Sequence, residues 1–550
     1  MKSYLAEKLG AVLKSLNYNG GTKLTFEKPK LGTHGDLTTN IAMLLAKTVG
    51  KNPRAIAQEI VSKLGLDPDD VAGVEIAGPG FINFRFTDRF FTKQVATILL
   101  ERESFGKSAI GGGKKTQVEF VSANPTGPLS VGHGRQAAIG DTIANLLEWT
   151  GHAVTREYYY NNAGRQMRML AESTYARYRQ LFEASFAFPE DGYQGEYITE
   201  IAEQLRKAKN QDLLSLDREK ALEVCKSFAE ESLFDSIKRV LARLGVKFDV
   251  FYNEDSLYKT GKIDEVIDEF RKKKLAYDKD GAVWLKTTAL GLDQDRVIVK
   301  STGEPTYRLP DIAYHREKFR RGFELIVDIF GADHISTIQE VLAGVKSLGY
   351  DTEKVKVVIH QFVTLMRDGQ QVKMSKRLAN FVTLDELIDD VGPDVARFFF
   401  IMRATSSHLE FDVNLAREQS EKNPVYYLQY AHARIASILR FAETQKTLDK
   451  SSDMQSFRFD LMKEPSEVAL AKLLLEFPEW VEGTCFAYEP HRLATYLHDV
   501  ATGFHRFYHE CRVVIPELDL SRARLALCLA TKIVLANGFK ILGISAPEAM

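Results

Sequence analysis

Apolar and polar positions repeat with two different periods along this chain, and the changes of period mark its parts. Helical spacing in MKSYLAEKLGAVLKSL gives way, by FINFRF, to strict alternation after a Gly-Pro-Gly turn, which predicts an α+β unit over residues 1–108. The glycine- and lysine-rich GKSAIGGGKKT reads as a linker, and it lacks the upstream glycine that a phosphate-binding P-loop requires. TQVEFVSAN then predicts a short strand, and RQAAIGDTIANLLEWTG a helix stopped by Gly151. Strand, glycine-bearing turn and helix form the first unit of a doubly wound parallel sheet, whose ligands lie at the carboxyl ends of strands. AVTREYYY, FELIVDIFGAD and KVKVVIHQFVTLM predict further strands. An α/β domain is therefore expected over 115–410, interrupted near 183–295 by a charged, mostly helical insertion. From about Asn414 the long segments keep the helical period, predicting an all-α helix bundle over 411–550.

Composition and charge narrow the class. A chain of 550 residues has room for several domains, and 45% hydrophobic residues with no low-complexity tract describe a soluble globular protein. The net charge of −1 exerts no bulk pull on polyanions, so a nucleic-acid partner would be held by local patches. Cys225, Cys485, Cys511 and Cys528 are scattered without ligand spacing. Neither zinc, nor another metal site, nor a disulfide framework is expected, and a reducing cytoplasm fits. The amino-terminal pattern is not that of a signal peptide, and apolar runs such as Phe398 to Met402 are too short to span a bilayer.

Two segments carry candidate chemistry. SANPTGPLSVGHGR, residues Ser122 to Arg135, joins the first strand of the α/β domain to its helix. A helix start presents unpaired N–H groups suited to phosphate, Gly127, Gly132 and Gly134 let backbone approach a ligand, and His133 can donate to a phosphate oxygen. QQVKMSKRLANF places Lys373, Lys376 and Arg377 around Met374 and Ser375. Basic groups on a short loop can neutralise charge that develops during in-line displacement at a triphosphate.

Together these segments resemble the HIGH and KMSKS signatures of class I aminoacyl-tRNA synthetases, and the details are similar to arginyl-tRNA synthetases nearly end to end. HGDLTTNIAMLLAKTVGKNPRAIAQEI and IAGPGFINFRF resemble that family's N-terminal domain. VEFVSANPTGPLSVGHGR, STGEPTYRLPDIAYH and VKMSKR resemble its Rossmann-type catalytic core. VYYLQYAHARI and the closing LGISAPEAM resemble its anticodon-binding domain.

The resemblance implies an ATP-dependent arginine–tRNA ligase with tRNA(Arg), L-arginine and Mg-ATP as partners, acting as a monomer. It implies Glu119 and Asn124 at the arginine α-amino end, helped by Gln339, with Tyr307 and Asp311 at the guanidinium and Ser122 as a further arginine contact. For ATP it implies Gly132 and His133, Gly331, Asp333 and His334 of GADH, and Lys373, Met374, Lys376 and Arg377. His133, Lys373, Lys376 and Ser130 form the implied catalytic set. Asn40, Tyr426, Tyr430, Arg434 and Met550 are the implied tRNA contacts. Ser130 stands where the family usually has its first signature histidine, and serine donates a hydrogen bond but carries no charge. An alternative reading follows from that position: a synthetase-like tRNA-binding protein impaired in catalysis.

Overall fold

The computed structural model describes residues 1–18, 23–29, 31–372, 382–447 and 457–550. The chain opens with α1 (Lys2–Ser15), β1 (Leu37–Thr39), α2 (Ile41–Val49), α3 (Pro53–Lys63), β2 (Val71–Ala77) and β3 (Phe81–Phe86). The three strands pair antiparallel in the order β1-β3-β2. The alternation of FINFRF turns Ile82, Phe84 and Phe86 inward, where they meet Leu5, Leu9, Ile41 and Ile56. Each such side chain contributes about 1.5–3 kcal/mol on burial. Helix α4 (Asp88–Glu101), started by Thr87 accepting from the Phe90 N–H at 3.0 Å, leads out of this unit.

The α/β domain begins with β4 (Lys115–Glu119), α5 (Val131–Trp149), β5 (Ala153–Tyr160) and α6 (Gly164–Gln180). Next come α7 (Glu196–Lys209), α8 (Arg218–Arg243), β6 (Val250–Asn253), α9 (Asp255–Lys259) and α10 (Lys262–Lys272). A small antiparallel sheet of β7 (Ala276–Lys279), β8 (Ala282–Leu285) and β9 (Arg296–Val299) follows. The segment 183–295 thus holds helices, but it also returns a strand to the main sheet and builds most of a second one.

The chain continues through α11 (Arg308–Arg320), β10 (Leu325–Gly331), α12 (Ile335–Ser347) and β11 (Val355–His360). β4, β5, β6, β10 and β11 form a parallel sheet in the order β11-β10-β4-β5-β6. KVKVVIHQFVTLM, expected as one strand, divides into β11 and β12 (Val363–Arg367). At the break Arg135 takes the Gln361 carbonyl at 2.7 Å and the Gln361 N–H donates to Thr405, so that residue leaves the ladder. β12 pairs instead with β13 (Gln370–Gln371) and, beyond α13 (Leu384–Val391) and α14 (Pro393–Ile401), with β14 (Leu409–Asp412).

After α15 (Val413–Arg417) the described chain is helical: α16 (Pro424–Thr444), α17 (Pro465–Leu475), α18 (Phe477–Ala487), α19 (His491–Glu510) and α20 (Leu518–Leu542). By length and composition α20 could cross a membrane, but most of it is buried as a central helix of the bundle. Its end is tied to the α/β domain by buried Arg397, which donates to the Leu542 and Leu244 carbonyls and to Asp141.

Candidate active site

Strand order reverses at β4, with β5 on one side and β10 on the other, which opens a crevice at their carboxyl ends. Leaving β4, the backbone passes through two left-handed residues that are not glycine, Val121 at φ 68° and Ser122 at φ 43°. Such positions are strained and persist where surrounding bonds hold them. Ser122 Oγ donates to Glu119 Oε1 at 3.0 Å and accepts from the Tyr159 N–H at 3.2 Å. Tyr158 OH donates to the Ala123 carbonyl at 2.8 Å. The exposed Asn124 amide is engaged at both ends, accepting from the Asn161 N–H at 2.9 Å and donating to Gln166 at 3.1 Å.

Ser130 is the N-cap of α5 and His133 lies in its first turn. His133 Nδ1 accepts from the Ser130 N–H at 3.1 Å, and the Ser130 hydroxyl lies 3.2 Å from the same nitrogen. A neutral ring with Nδ1 accepting carries its proton on Nε2, which makes that atom a donor. The loop glycines differ in purpose. Among the described residues, a Cβ on Gly132 would meet only Ser130 Oγ, at 3.7 Å, so none of these residues crowds its backbone. On Gly134 it would lie 2.5 Å from the Leu384 side chain, so that glycine serves packing and not ligand approach. Gly331, Asp333 and His334 form the exit of β10, with Asp333 and His334 exposed and 3.6 Å apart. Lys373, Met374, Lys376 and Arg377 lie outside the described residues.

The other end of the crevice is built from buried charge. Asp311, His315 and Lys318 recur at i, i+4 and i+7 of α11, on one helix face. Lys318 Nζ donates to both Glu119 of β4 and Asp328 of β10, the latter at 2.6 Å. His315 bridges the Asp311 carbonyl at 2.8 Å and Asp328 at 3.0 Å. Burial opposes ionisation of Asp328, yet Lys318 and His315 hold its carboxyl at about 2. Burial pushes Glu119 up, and the shared Lys318 ammonium offsets this only partly.

No donor among the described residues reaches the Asp311 carboxylate. Burial, reinforced by Glu254 and Glu119 against the pull of His315 and Lys318, raises it to about 7. Glu254 accepts from Tyr159 OH at 2.7 Å and Asn161 at 2.8 Å, and burial raises it too. Two carboxylates short of positive charge therefore face one another's field. Lys318, Asp328, His315 and Glu254 did not stand out in the sequence, although the spacing on α11 was a usable signal. Tyr307 precedes α11 with 83% of its surface exposed, and Gln339 is exposed on α12, so neither belongs to the buried cluster.

On the helical domain, Tyr426 and Tyr430 stack at 6.2 Å, and Tyr430 stacks on His505 of α19. Arg434 donates to Tyr430 OH at 3.1 Å and lies over Tyr508. Tyr430, Arg434 and Met550 are exposed. Asn40 is the N-cap of α2, its side chain accepting from Thr25 Oγ1 at 3.3 Å.

Residues 3–86 match the arginyl tRNA synthetase N terminal domain, and residues 428–550 the DALR anticodon binding domain. Residues 94–398, more than half of the chain, match the catalytic domain of class I (R) tRNA synthetases. An arginine–tRNA ligase of Desulfotalea psychrophila is 54% identical over 96% of this chain and 95% of its own. One of Salinibacter ruber is 48% identical over the whole of both. The fold is also that of the Thermus thermophilus arginyl-tRNA synthetase, with a TM-score of 0.73 at 23% identity over the full length of both. The chain belongs to the arginyl-tRNA synthetases, a family of class I aminoacyl-tRNA synthetases.

Proposed function

We propose that this chain is an arginine–tRNA ligase, activating L-arginine with ATP and transferring it to tRNA(Arg), and that its substrates divide between the two ends of the crevice. The observation that carries this division is Asp311, a carboxyl without a donor among the described residues, raised to about 7 beside Glu254. A guanidinium supplies the missing cation and several donors in one plane. Asp311 and Glu254 take that group, with Tyr307 closing over it from the exposed side. Glu119, Ser122 and Asn124 face the α-amino end, assisted by Gln339.

An oxygen of the arginine carboxylate attacks the α-phosphorus of ATP. The bond from that phosphorus to the β-bridging oxygen breaks, giving arginyl-adenylate and pyrophosphate. His133 Nε2, the backbone at Gly132 and the amino end of α5 meet the charge that develops on the phosphates, joined by Lys373, Met374, Lys376 and Arg377. Gly331, Asp333 and His334 hold the nucleoside. Magnesium enters with ATP as part of the nucleotide substrate, as the family resemblance implies. The terminal ribose hydroxyl of the tRNA then attacks the adenylate carbonyl and AMP leaves.

Tyr426, Tyr430, Arg434 and the Met550 end offer stacking surfaces to unpaired anticodon bases, and Asn40 faces the tRNA elbow. The protein acts in the cytoplasm as a monomer, as the family resemblance implies. Impaired catalysis at Ser130 finds no support: relatives about half identical over the full chain are arginine–tRNA ligases, and Ser130 keeps its bond to His133. Charging of tRNA(Arg) should require arginine and ATP and reject lysine, and a folded protein that binds tRNA without charging it would revive the impaired reading.

A further inference from the structure

His360 closes β11 in register with Gly331 of β10, at the exit of the strand that carries GADH. Only 7% of it is exposed. Its Nδ1 lies 3.2 Å from the Gln361 carbonyl and donates there, which leaves Nε2 as an acceptor. Nε2 is buried and has no hydrogen-bond partner among the described residues. Buried acceptors are rarely left in that state unless water, an ion or a ligand completes them.

The position of this nitrogen says which ligand group it awaits. A Cβ built on Gly331 would lie 4.0 Å from His360 Nε2 and 2.5 Å from Asp333 Oδ1, so two acceptors border one notch over Gly331, which the Asp333 carboxylate partly fills. Among the described residues, the charged and titratable groups that act most on His360 are Arg135, Asp333 and His334. The terminal nitrogens of Arg135 are occupied by the carbonyls of Gln361, Ser407 and Ala404. Burial pushes the imidazole down to about 4, with Arg135 adding to the effect, so the ring stays neutral and accepting near pH 7.

We infer that His360 is a nucleotide-positioning residue whose Nε2 accepts a hydrogen bond from one ribose hydroxyl of ATP, beside Asp333. The inference rests on the reading of GADH as the nucleoside end. A vicinal diol brings two donors on adjacent carbons to two neighbouring acceptors. Adenine offers one exocyclic amine, and its ring nitrogens are acceptors that this notch would repel.

The test is calorimetric binding of ATP, 2′-deoxy-ATP, 3′-deoxy-ATP and inosine triphosphate to the full chain and to His360→Ala, His360→Gln and Asp333→Ala. Thermal melts show which variants fold as the parent does. His360→Ala should weaken ATP by about three- to tenfold, the size of one neutral hydrogen bond. It should change the affinity for one of the two deoxynucleotides by less than about twofold, since the hydroxyl it served is missing there. His360→Gln, which returns an acceptor close to Nε2, should recover most of the loss and stands in if the alanine variant fails to fold. Equal losses for all four nucleotides would overturn the inference, as would a loss that vanishes only with inosine triphosphate. If Asp333→Ala and His360→Ala both leave ATP binding unchanged, the nucleoside lies elsewhere and the underlying placement fails.

Discussion

At the end of the crevice proposed for arginine, Glu119, Lys318 and Asp328 carry charge into the interior from two strands and a helix, with half-buried Asp311 beside them, whereas at the end proposed for the nucleotide Ser130, Gly132 and His133 come from four consecutive residues at one helix start. On that proposal the first region would select by electrostatics in a low dielectric, where an unpaired carboxylate is costly and a matching cation is strongly favoured. The second works through backbone amides, a helix end and one imidazole donor, groups that suit any triphosphate. The proposed division thus assigns specificity and chemistry to differently made parts of one crevice.

Substitutions should separate the two regions. The largest effect is expected from Lys318→Met, which strands Glu119 and Asp328 in the interior without their shared cation. A loss of about 3–5 kcal/mol is the usual cost of breaking such a pair. It would be read as a lowered denaturant midpoint, partly restored by adding Asp328→Asn. Asp311→Asn should leave the fold intact and lower kcat/KM for arginine by about a hundredfold or more while ATP affinity stays put. A comparable loss in ATP affinity would mean that the two ends are not separable. His133→Ala should show the reverse, with charging slowed by about a hundredfold and arginine affinity kept within about twofold. The smallest effect is expected at Ser130→His, because the bond holding His133 comes from the backbone N–H of residue 130 and survives the change. Charging rates should stay within about threefold, and a large drop would show that the loop is built around serine.

The same contrast explains what the sequence could reveal. A loop followed by a helix start is contiguous, so SANPTGPLSVGHGR could be read as a strand-to-helix turn, and AVTREYYY and FELIVDIFGAD could be read as strands from their short apolar and aromatic runs. The charge cluster was hidden because its members are distant in the chain: Lys318 lies 199 residues from Glu119. In AYHREKFRR the run of charges reads as a solvated helix face, yet His315, Arg316, Glu317 and Lys318 are all buried. Glu265 takes Arg316 and Lys262 takes Glu317, so α10 covers the side of α11 that would otherwise meet water. The division of KVKVVIHQFVTLM was equally illegible, since Arg135, more than two hundred residues away, decides where the ladder ends.

Calorimetric titration of arginine from about pH 5.5 to 8.5, in buffers of differing ionisation enthalpy, tests the central claim most directly. The free carboxyl of Asp311 is raised to about 7, with His315, Lys318, Glu119 and Glu254 around it, and a bound guanidinium must lower it. Below that pH arginine has to expel a proton, so affinity should fall by up to about tenfold for each unit and level off above it. Asp311→Asn should abolish both the slope and the proton release. An affinity independent of pH in the parent protein, with no proton released, would contradict the account.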